Sequence, residues 1–581
     1  MNAPTAPAEE ISDFARRDLA LAVSVVLERD GHLLSAGEGV VARAWLGLSE
    51  AASSLYARLF SRRPRIFWLE EIQYKEVEDL PAATAELLEA GFAWDAGRLA
   101  PAGALAEATT VAGLKAAAAA LGRPRSGLRA DLVARLSDPA ARAALARPGL
   151  WLRHCALFRR FARLYLHEHD GDLSRLVVSR LGLVQPPPYT PTGGEGLFPR
   201  RAALLAYEEA LAQRAETDSW DLARWTAEGE RATARIEATP MEPDWRFRFS
   251  ARRFDEGVAL AAARLLERVD QPERAESLYD RLLRAGIRDA GEAVQRHALC
   301  LEALGRASDG AQACARRRGE VDPSSARAVD RTGRRLARKA GLPWAPLPPL
   351  AAPFERLIRM EAAGAIGNRP GWRGDGEART VEGALAALVT GLGREVHFGE
   401  NELWSSLFGV LFREILFSPV PGMLPTPLLT GPLDLGTPGF FERRRAPIEA
   451  LLAALAAGEG PDRVRAESCS FGLAISGVRW DRFNIELLAS VAEGVGPAAL
   501  SALMRFFAED WRGSHRGLPD LVVLPGPACS VPEALPAALS PELVLVEVKG
   551  PTDSQRDSQR VWFDRLLGLG LRVELWWVER T

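Results

Sequence analysis

The sequence has few cysteines, few lysines, no long apolar run and no excess of charge of either sign. Its five cysteines, Cys155, Cys300, Cys314, Cys469 and Cys529, are odd in number, widely spaced and free of any C-x-x-C pair. That pattern argues for a reducing compartment and against a structural zinc. No run of about 18 apolar residues is present, so no membrane-crossing helix is expected. Residues 1–12 are Ala- and Pro-rich and begin without the basic start and apolar stretch of a secretory signal, which predicts a short disordered tail and a cytoplasmic protein. The formal net charge is only -3. A protein that coats nucleic acid is usually strongly basic, so any such surface here must be local. Of the 73 basic residues only Lys75, Lys115, Lys339 and Lys549 are lysine, so 69 are arginine. Where arginine is the default, a lysine raises a chemical question, because its compact ammonium has a pKa that burial can move.

What is present is a long chain of ordinary soluble composition. With 581 residues, 47% hydrophobic and 26% charged, it is too large for one core, and three to five units are expected. Apolar residues recur at helical spacing from residue 13 to about 76, which predicts a mainly helical first unit, taken as 13–100. Its basic cluster Arg62-Arg63-Pro64-Arg65 is interleaved with aromatics. The mixture suits phosphate contacts, and equally a solvated helix end. Residues 101–145 resemble a SAP motif, a helical DNA-binding hairpin, with Lys115 on the first helix and Arg125 at the turn as candidate contacts. Residues 146–341 read as paired antiparallel helices of tetratricopeptide type without the strict 34-residue signature. Residues 342–353, with five prolines, read as a linker.

The last unit, 354–581, opens with mixed structure and an amphipathic helix over 402–417. It then gives Val- and Leu-dense strands at 522–524, 543–548 and 571–578, with a helix at 554–569 before the last. Asp520 follows Pro519 and heads the first of these strands. Glu547 and Lys549 stand two apart on the second, so the pleat puts both on one face, beside the end of the neighbouring strand. Phosphodiester cleavage requires divalent ions held by acidic oxygens. Asp520 and Glu547 are candidate ligands, the Val548 carbonyl is a further one, and Lys549 is a candidate for holding the attacking water. The bland alternative is an edge strand whose polar face meets water, although a charged pair on so apolar a strand is costly without partners.

The surrounding blocks narrow the reading. Glu547-Val-Lys549-Gly-Pro-Thr-Asp553, followed by Gln559-Arg-Val-Trp562 and preceded by Gly517-Leu-Pro-Asp-Leu-Val-Val523, resembles a VRR-type nuclease domain of the PD-(D/E)xK superfamily. Upstream, Gly399-Glu400-Asn-Glu-Leu-Trp-Ser405, Phe440-Phe-Glu-Arg-Arg444, Trp480-Asp-Arg-Phe483 and Leu55-Tyr-Ala-Arg-Leu-Phe-Ser-Arg-Arg63 resemble blocks of the Fanconi-associated nucleases. The resemblance implies a mainly α, multidomain protein: a helical N-terminal domain, SAP-like and TPR-like domains, then a C-terminal α/β restriction-endonuclease-like nuclease domain. It implies a structure-selective 5′-flap endonuclease and 5′ to 3′ exonuclease in interstrand-crosslink repair, acting near the bacterial nucleoid on branched or flapped DNA with two Mg²⁺ or Mn²⁺ ions. By the same resemblance Glu400 joins Asp520 and Glu547 as a metal ligand, with Glu402 its rival, and Gln559 supports the site. Ser558 stands where eukaryotic members have a lysine, so Arg556 or Arg560 is expected to serve the DNA. A pocket for the DNA 5′ end is implied at Arg264, Arg296 and His297, which read equally well as surface charges.

Other features carry less. His167-Glu168-His169-Asp170-Gly171-Asp172 is rich in metal-binding types, but adjacent H-x-H sends the two rings to different sides of a helix, so a helix end is expected. Gly371-Trp-Arg-Gly-Asp-Gly376 lacks the Lys-Ser/Thr ending of a phosphate loop, so no nucleotide cofactor is expected. His515, near Arg516 and Asp520, is a candidate DNA contact. A junction resolvase or restriction-like nuclease, and a non-catalytic scaffold binding DNA structures, are the alternative functions.

Overall fold

The computed structural model describes residues 14–62, 65–74, 77–170, 184–194, 196–239, 241, 244–288, 290–367, 369–374, 376–532, 534–536 and 538–581. The chain divides into two compact units, residues 1–185 with 195–204, and residues 186–194 with 205–581. The expected tail at 1–12, Arg63, Lys75, Gly171 and Asp172 lie outside the described residues.

In the first unit, helices α1 (Phe14–Arg29), α2 (Ala36–Leu46) and α3 (Glu50–Phe60) are started by side-chain caps where the sequence supplies them. Ser35 and Glu38 form a reciprocal capping box at α2, and Ser49 caps α3. Strand β1 (Ile66–Trp68) follows, then α4 (Leu80–Glu89), β2 (Ala93–Asp95), α5 (Val111–Ala120), α6 (Arg129–Arg135), β3 (Gly149–Leu152) and α7 (Cys155–Leu166). The reading of this region as helical missed its three-stranded antiparallel sheet, in the order β1-β3-β2. These strands are three or four residues long and their pairing is remote in sequence, Phe67 opposite Leu150, so no local period announces them.

The second unit begins its regular part with a helical array: α8 (Leu222–Ala238), α9 (Ala251–Arg268), α10 (Pro272–Arg284), α11 (Ala290–Ala303), α12 (Ala307–Arg317) and α13 (Pro323–Ala340). Small residues set the approach of neighbours. A methyl group on Gly229 of α8 would meet the Ala262 side chain of α9 at 2.3 Å. Residues 342–350 contain no helix or strand, yet they are hydrogen-bonded in place. Arg318 donates to the Ala345 carbonyl at 2.7 Å, and the Leu347 N–H donates to Asp330 at 3.2 Å. A little further on, the Ala351 N–H donates to Asp564 at 2.8 Å.

The remaining elements build an α/β layer. They are β4 (Phe354–Met360), a small sheet of β5 (Ala362–Ile366), β6 (Arg369–Gly374) and β7 (Glu377–Arg379), then α14 (Val381–Gly391), β8 (Val396–Phe398) and α15 (Glu402–Leu411). Helices α16 (Arg445–Ala456), α17 (Ile485–Val495) and α18 (Pro497–Glu509) intervene before β9 (Leu521–Val523), β10 (Ala534–Leu535), β11 (Val544–Lys549), α19 (Asp557–Gly568) and β12 (Arg572–Arg580). The main sheet has the order β10-β4-β12-β11-β9-β8. Strand β12 runs parallel to both β11 and β4, and β11 runs antiparallel to β9. The mixed structure expected at 354–363 is thus a long strand inside the sheet. The single helix expected over 402–417 is broken, because α15 ends at Leu411 and a short helix, Arg413–Leu416, follows. Every residue of α15 from Leu403 to Leu411 is buried.

The β4–β12 pair is locked by a charge. Arg356 and Glu574 are both fully buried and meet at 2.9 Å. Trp576 also donates to Glu574 at 2.8 Å, and Arg356 donates to the Ala538 carbonyl at 2.8 Å. Among the described residues, no single helix is long and apolar enough to cross a membrane.

Candidate metal centre

The antiparallel register of β9 and β11 sets Val546 opposite Leu521 and stops there. Asp520, one residue before β9, therefore falls beside the free end of β11, and its Oδ2 accepts the Val548 N–H at 2.8 Å. In an extended strand the N–H and C=O of one residue point to the same edge, so the Val548 carbonyl faces the Asp520 side as well. Glu547 and Lys549 share the other orientation of the pleat. Lys549 Nζ donates to Glu547 Oε1 at 2.7 Å, and Gln559 Nε2 from α19 donates to the same oxygen. Glu547 is 1% exposed and Lys549 7%.

The carboxylates are under electrostatic tension. Burial, together with the charges of Glu382 and Glu400, raises Asp520 from 3.8 to about 6, against the hydrogen bond from Val548 and the pull of Lys549. Burial, then the neighbouring Asp520 charge, raises Glu547 from 4.5 to about 8. Glu547 Oε2 is buried with no hydrogen-bond partner. An orphaned, desolvated carboxylate oxygen beside a second carboxylate is what a hard divalent cation satisfies, so the donor set fits such an ion. Among the described residues no three His, Cys, Asp or Glu side chains gather closely enough to hold an ion by themselves. The candidate core is Asp520, Glu547 and the Val548 carbonyl, with Glu400 at electrostatic range.

Glu400 is delivered by the neighbouring edge strand. β8 pairs with β9, and the Gly399 N–H donates to the Asp520 carbonyl at 2.8 Å, so Glu400 follows directly beside the site. Asn401 then takes a left-handed φ of 41° before α15 starts. Glu402 is engaged elsewhere, by Arg479 at 2.5 Å and Arg482 at 2.6 Å. Sequence reasoning missed Glu382, which lies in the first turn of α14 after the Thr380 cap and bears on Asp520. A glutamate in a first helical turn is common for dipole reasons alone, so its position in sequence carried no signal.

The other expected residues are dispersed. In the first unit Arg62 lies over the Tyr74 ring at 5.1 Å, Arg65 is exposed, and Lys115 and Arg125 are exposed on the α5–α6 hairpin. His167 closes α7 as a buried C-cap, its pKa lowered to about 3 by burial. In the second unit Arg264 pairs with Glu292, and Arg296 reaches Glu267 at 3.4 Å. His297 is buried, 3.3 Å from Glu276, with burial lowering its pKa. Arg264 and Arg296 are thus ion-paired but still partly exposed, and His297 lies beneath the surface. Arg556 and Arg560 are exposed at the start of α19, and His515 packs on Trp511 with centroids 4.2 Å apart.

A sheet that carries two acidic residues and a lysine on adjoining strands, flanked by α14 and α19, is the frame of a metal-binding nuclease-type domain, and the VRR-NUC domain model matches residues 461–579. The chain is thus a VRR-NUC-domain protein. A second model, the FAN1 HTH domain, matches residues 17–94. With matches to both models, the chain is similar to the Fanconi-associated nucleases and their homologues. It is 29% identical to the Fanconi-associated nuclease 1 homolog of Arabidopsis thaliana over 95% of its own length, and 29% identical to that of Pseudomonas aeruginosa over 92%. It spans 65% of the Arabidopsis protein and 90% of the Pseudomonas one. Two crystal structures of paFAN1, bound to 2-nt and 1-nt 5′-flap DNA with gap, share the fold with TM-scores of 0.81 and 0.80 at 24% identity. They cover 100% and 98% of this chain, and the chain covers 100% and 99% of them.

Proposed function

We propose that this protein is a structure-selective, metal-dependent DNA nuclease, a 5′-flap endonuclease and 5′ to 3′ exonuclease serving interstrand-crosslink repair. The observation that carries the chemistry is the desolvated Glu547 Oε2, left without a partner beside Asp520 while Lys549 donates to Oε1 of the same carboxylate. The substrate follows from the relatives, whose solved structures hold 5′-flap DNA.

In this reading Asp520, Glu547, the Val548 carbonyl and Glu400 would hold the divalent ions, of which two are implied. The ion, Mg²⁺ or Mn²⁺, supplies Lewis-acid stabilisation of the developing phosphoryl charge. Lys549 orients the attacking water and accepts hydrogen bonds from nothing, so its three donors are available to water, Glu547 and phosphate. Gln559 fixes the Glu547 carboxylate while its charge is rearranged. The α5–α6 hairpin acts as the SAP-like element and α8 to α13 as the TPR-like one. The working domains are 13–100, 101–145, 146–341 and 354–581, joined by 342–353. Branched DNA with a 5′ end is the partner, and the bacterial cytoplasm at the nucleoid the location. Arg62, Arg65, Lys115, Arg125, Arg556 and Arg560 are exposed cations available to its backbone.

Cleavage of labelled 5′-flap, 3′-flap and four-way-junction DNAs in Mg²⁺, Mn²⁺ or chelator tests this. The 5′ flap is cut best, chelation abolishes cutting, and Asp520→Ala lowers the rate by about three orders of magnitude, since several kcal/mol of charge stabilisation depend on the ion. Equal cutting by Asp520→Ala, or activity in chelator, overturns the reading. Preference for four-way junctions keeps the chemistry and makes the protein a resolvase.

A further inference from the structure

Helix α13 (Pro323–Ala340) carries Arg327, Arg331, Arg334, Arg335, Arg338 and Lys339 against one acid, Asp330. Arg327, Arg331, Arg334 and Arg338 fall at i, i+4, i+7 and i+11 and so share one face. The neighbours of that face divide it. Arg327 donates to the Pro348 carbonyl, and Arg331 grips Asp557 through two hydrogen bonds of 2.6 Å. Arg335 and Lys339 turn aside to Glu302. Arg334 and Arg338 are exposed and have no carboxylate partner among the described residues.

Asp322, the N-cap of α13, lies close enough to Arg565 for their charges to interact, while Arg331, nine residues on, holds Asp557 at the first residue of α19. The two helices are therefore antiparallel, and the C-terminal half of α13 projects past the N-terminus of α19. At 1.5 Å per residue, Arg334 and Arg338 stand roughly 4.5 and 10.5 Å beyond Arg331 along the axis. What lies past the start of α19 is the 550–556 segment, which leaves β11 at Lys549. Gln559, in the first turn of α19, donates to Glu547, so Arg334 and Arg338 lie past the end of α19 that reaches the metal centre. They are spaced roughly 6 Å along the helix, on the scale of neighbouring phosphates in an extended strand.

We infer that the exposed face of α13 formed by Arg334 and Arg338 is a track for the sugar-phosphate backbone of the DNA strand held in the β9–β11 centre. The inference deepens the nuclease reading and rests on it. Guanidinium forks match phosphate geometry, and an acidic peptide, the other ligand of such a stripe, has no reason to lie at the mouth of a centre built from Asp520 and Glu547. The Arg331–Asp557 clamp gives the track a fixed position relative to α19, the helix that bears Gln559.

The test uses the full-length chain with Asp520→Ala to prevent cutting, a fluorescein-labelled 5′-flap DNA and a salt titration in Mg²⁺. Arg334→Glu with Arg338→Glu weakens binding at least tenfold at 0.1 M salt. It also lowers the slope of log affinity against log salt by about 1.4 to 1.8, the value for two phosphate contacts. Arg334→Ala with Arg338→Ala gives the same slope change if the reversed pair disturbs folding, which a thermal melt reports. An unchanged slope overturns the track. So does an equal loss from the exposed control pair Arg253→Glu with Arg268→Glu, which reports net charge alone. Failure of the nuclease reading is separate, since it shows as absence of cleavage by the protein that retains Asp520.

Discussion

At the scale of single residues, the centre stores its tension in protonation. Glu547 is raised to about 8 and Asp520 to about 6, so between the unfolded and folded values the native state binds more protons than the unfolded chain. Stability of the metal-free protein therefore falls as pH rises from about 4.5 through about 8. An ion that takes the place of those protons reverses the trend. Melting temperatures in chelator are expected to drop from pH 5 to pH 8, the gain on adding Mg²⁺ to be larger at pH 8, and Glu547→Gln to flatten both curves. Differential scanning fluorimetry across that range measures this, and a pH-independent Mg²⁺ gain would sink it. The placement of Glu547 and Lys549 on one face was legible from their spacing alone. The contribution of Glu382 was not, because a helix start remote from β9 becomes its neighbour only through the sheet.

At the scale of elements, α19 is seated by a glycine. Gly517 has a φ of 94°, and a Cβ there would meet the Ser558 and Gln559 backbone at 2.7 to 2.9 Å. The loop that brings Asp520 into β9 thus lies directly on the helix that delivers Gln559 to Glu547. Gly517→Ala is expected to cost about 1–3 kcal/mol through the left-handed backbone and the forced shift. It should also lower the cleavage rate more than it weakens DNA binding, because α19 moves away from the centre. Denaturant unfolding and a separation of kcat from KM check this. The buried Arg356–Glu574 pair sets the β4–β12 junction. Removing one charge leaves the other desolvated, so Arg356→Ala is expected to destabilise by about 3–5 kcal/mol, read from the urea midpoint.

At the scale of the whole molecule, the stretch matched as VRR-NUC, residues 461–579, is less than the sheet that stabilises it. β4 and β8 both come from earlier in the chain, and β4 pairs with β12 over seven positions. A fragment of residues 461–581 is therefore expected to show no cooperative melting transition, its β12 edge and apolar face being left uncovered. A fragment of residues 354–581 is expected to show one. Circular dichroism melts of the two decide the point, and a cooperative transition in the shorter piece would contradict it.

The sequence by itself determined the Val- and Leu-dense strands, the helix before the last strand, the pairing of Glu547 with Lys549 on one face and the family blocks around them. Each of these is local, readable within a dozen residues. Only the tertiary structure decided that 354–360 is a strand beside the C-terminal one, that the first unit holds a three-stranded sheet, and that His297 is internal. It also decided that Glu402 is ion-paired with Arg479 and Arg482 while Glu400 lies within electrostatic range of Asp520 and Glu547. These outcomes depend on pairings between residues tens to hundreds of positions apart, and a charge acquires its pKa and its role from what such pairings bring beside it.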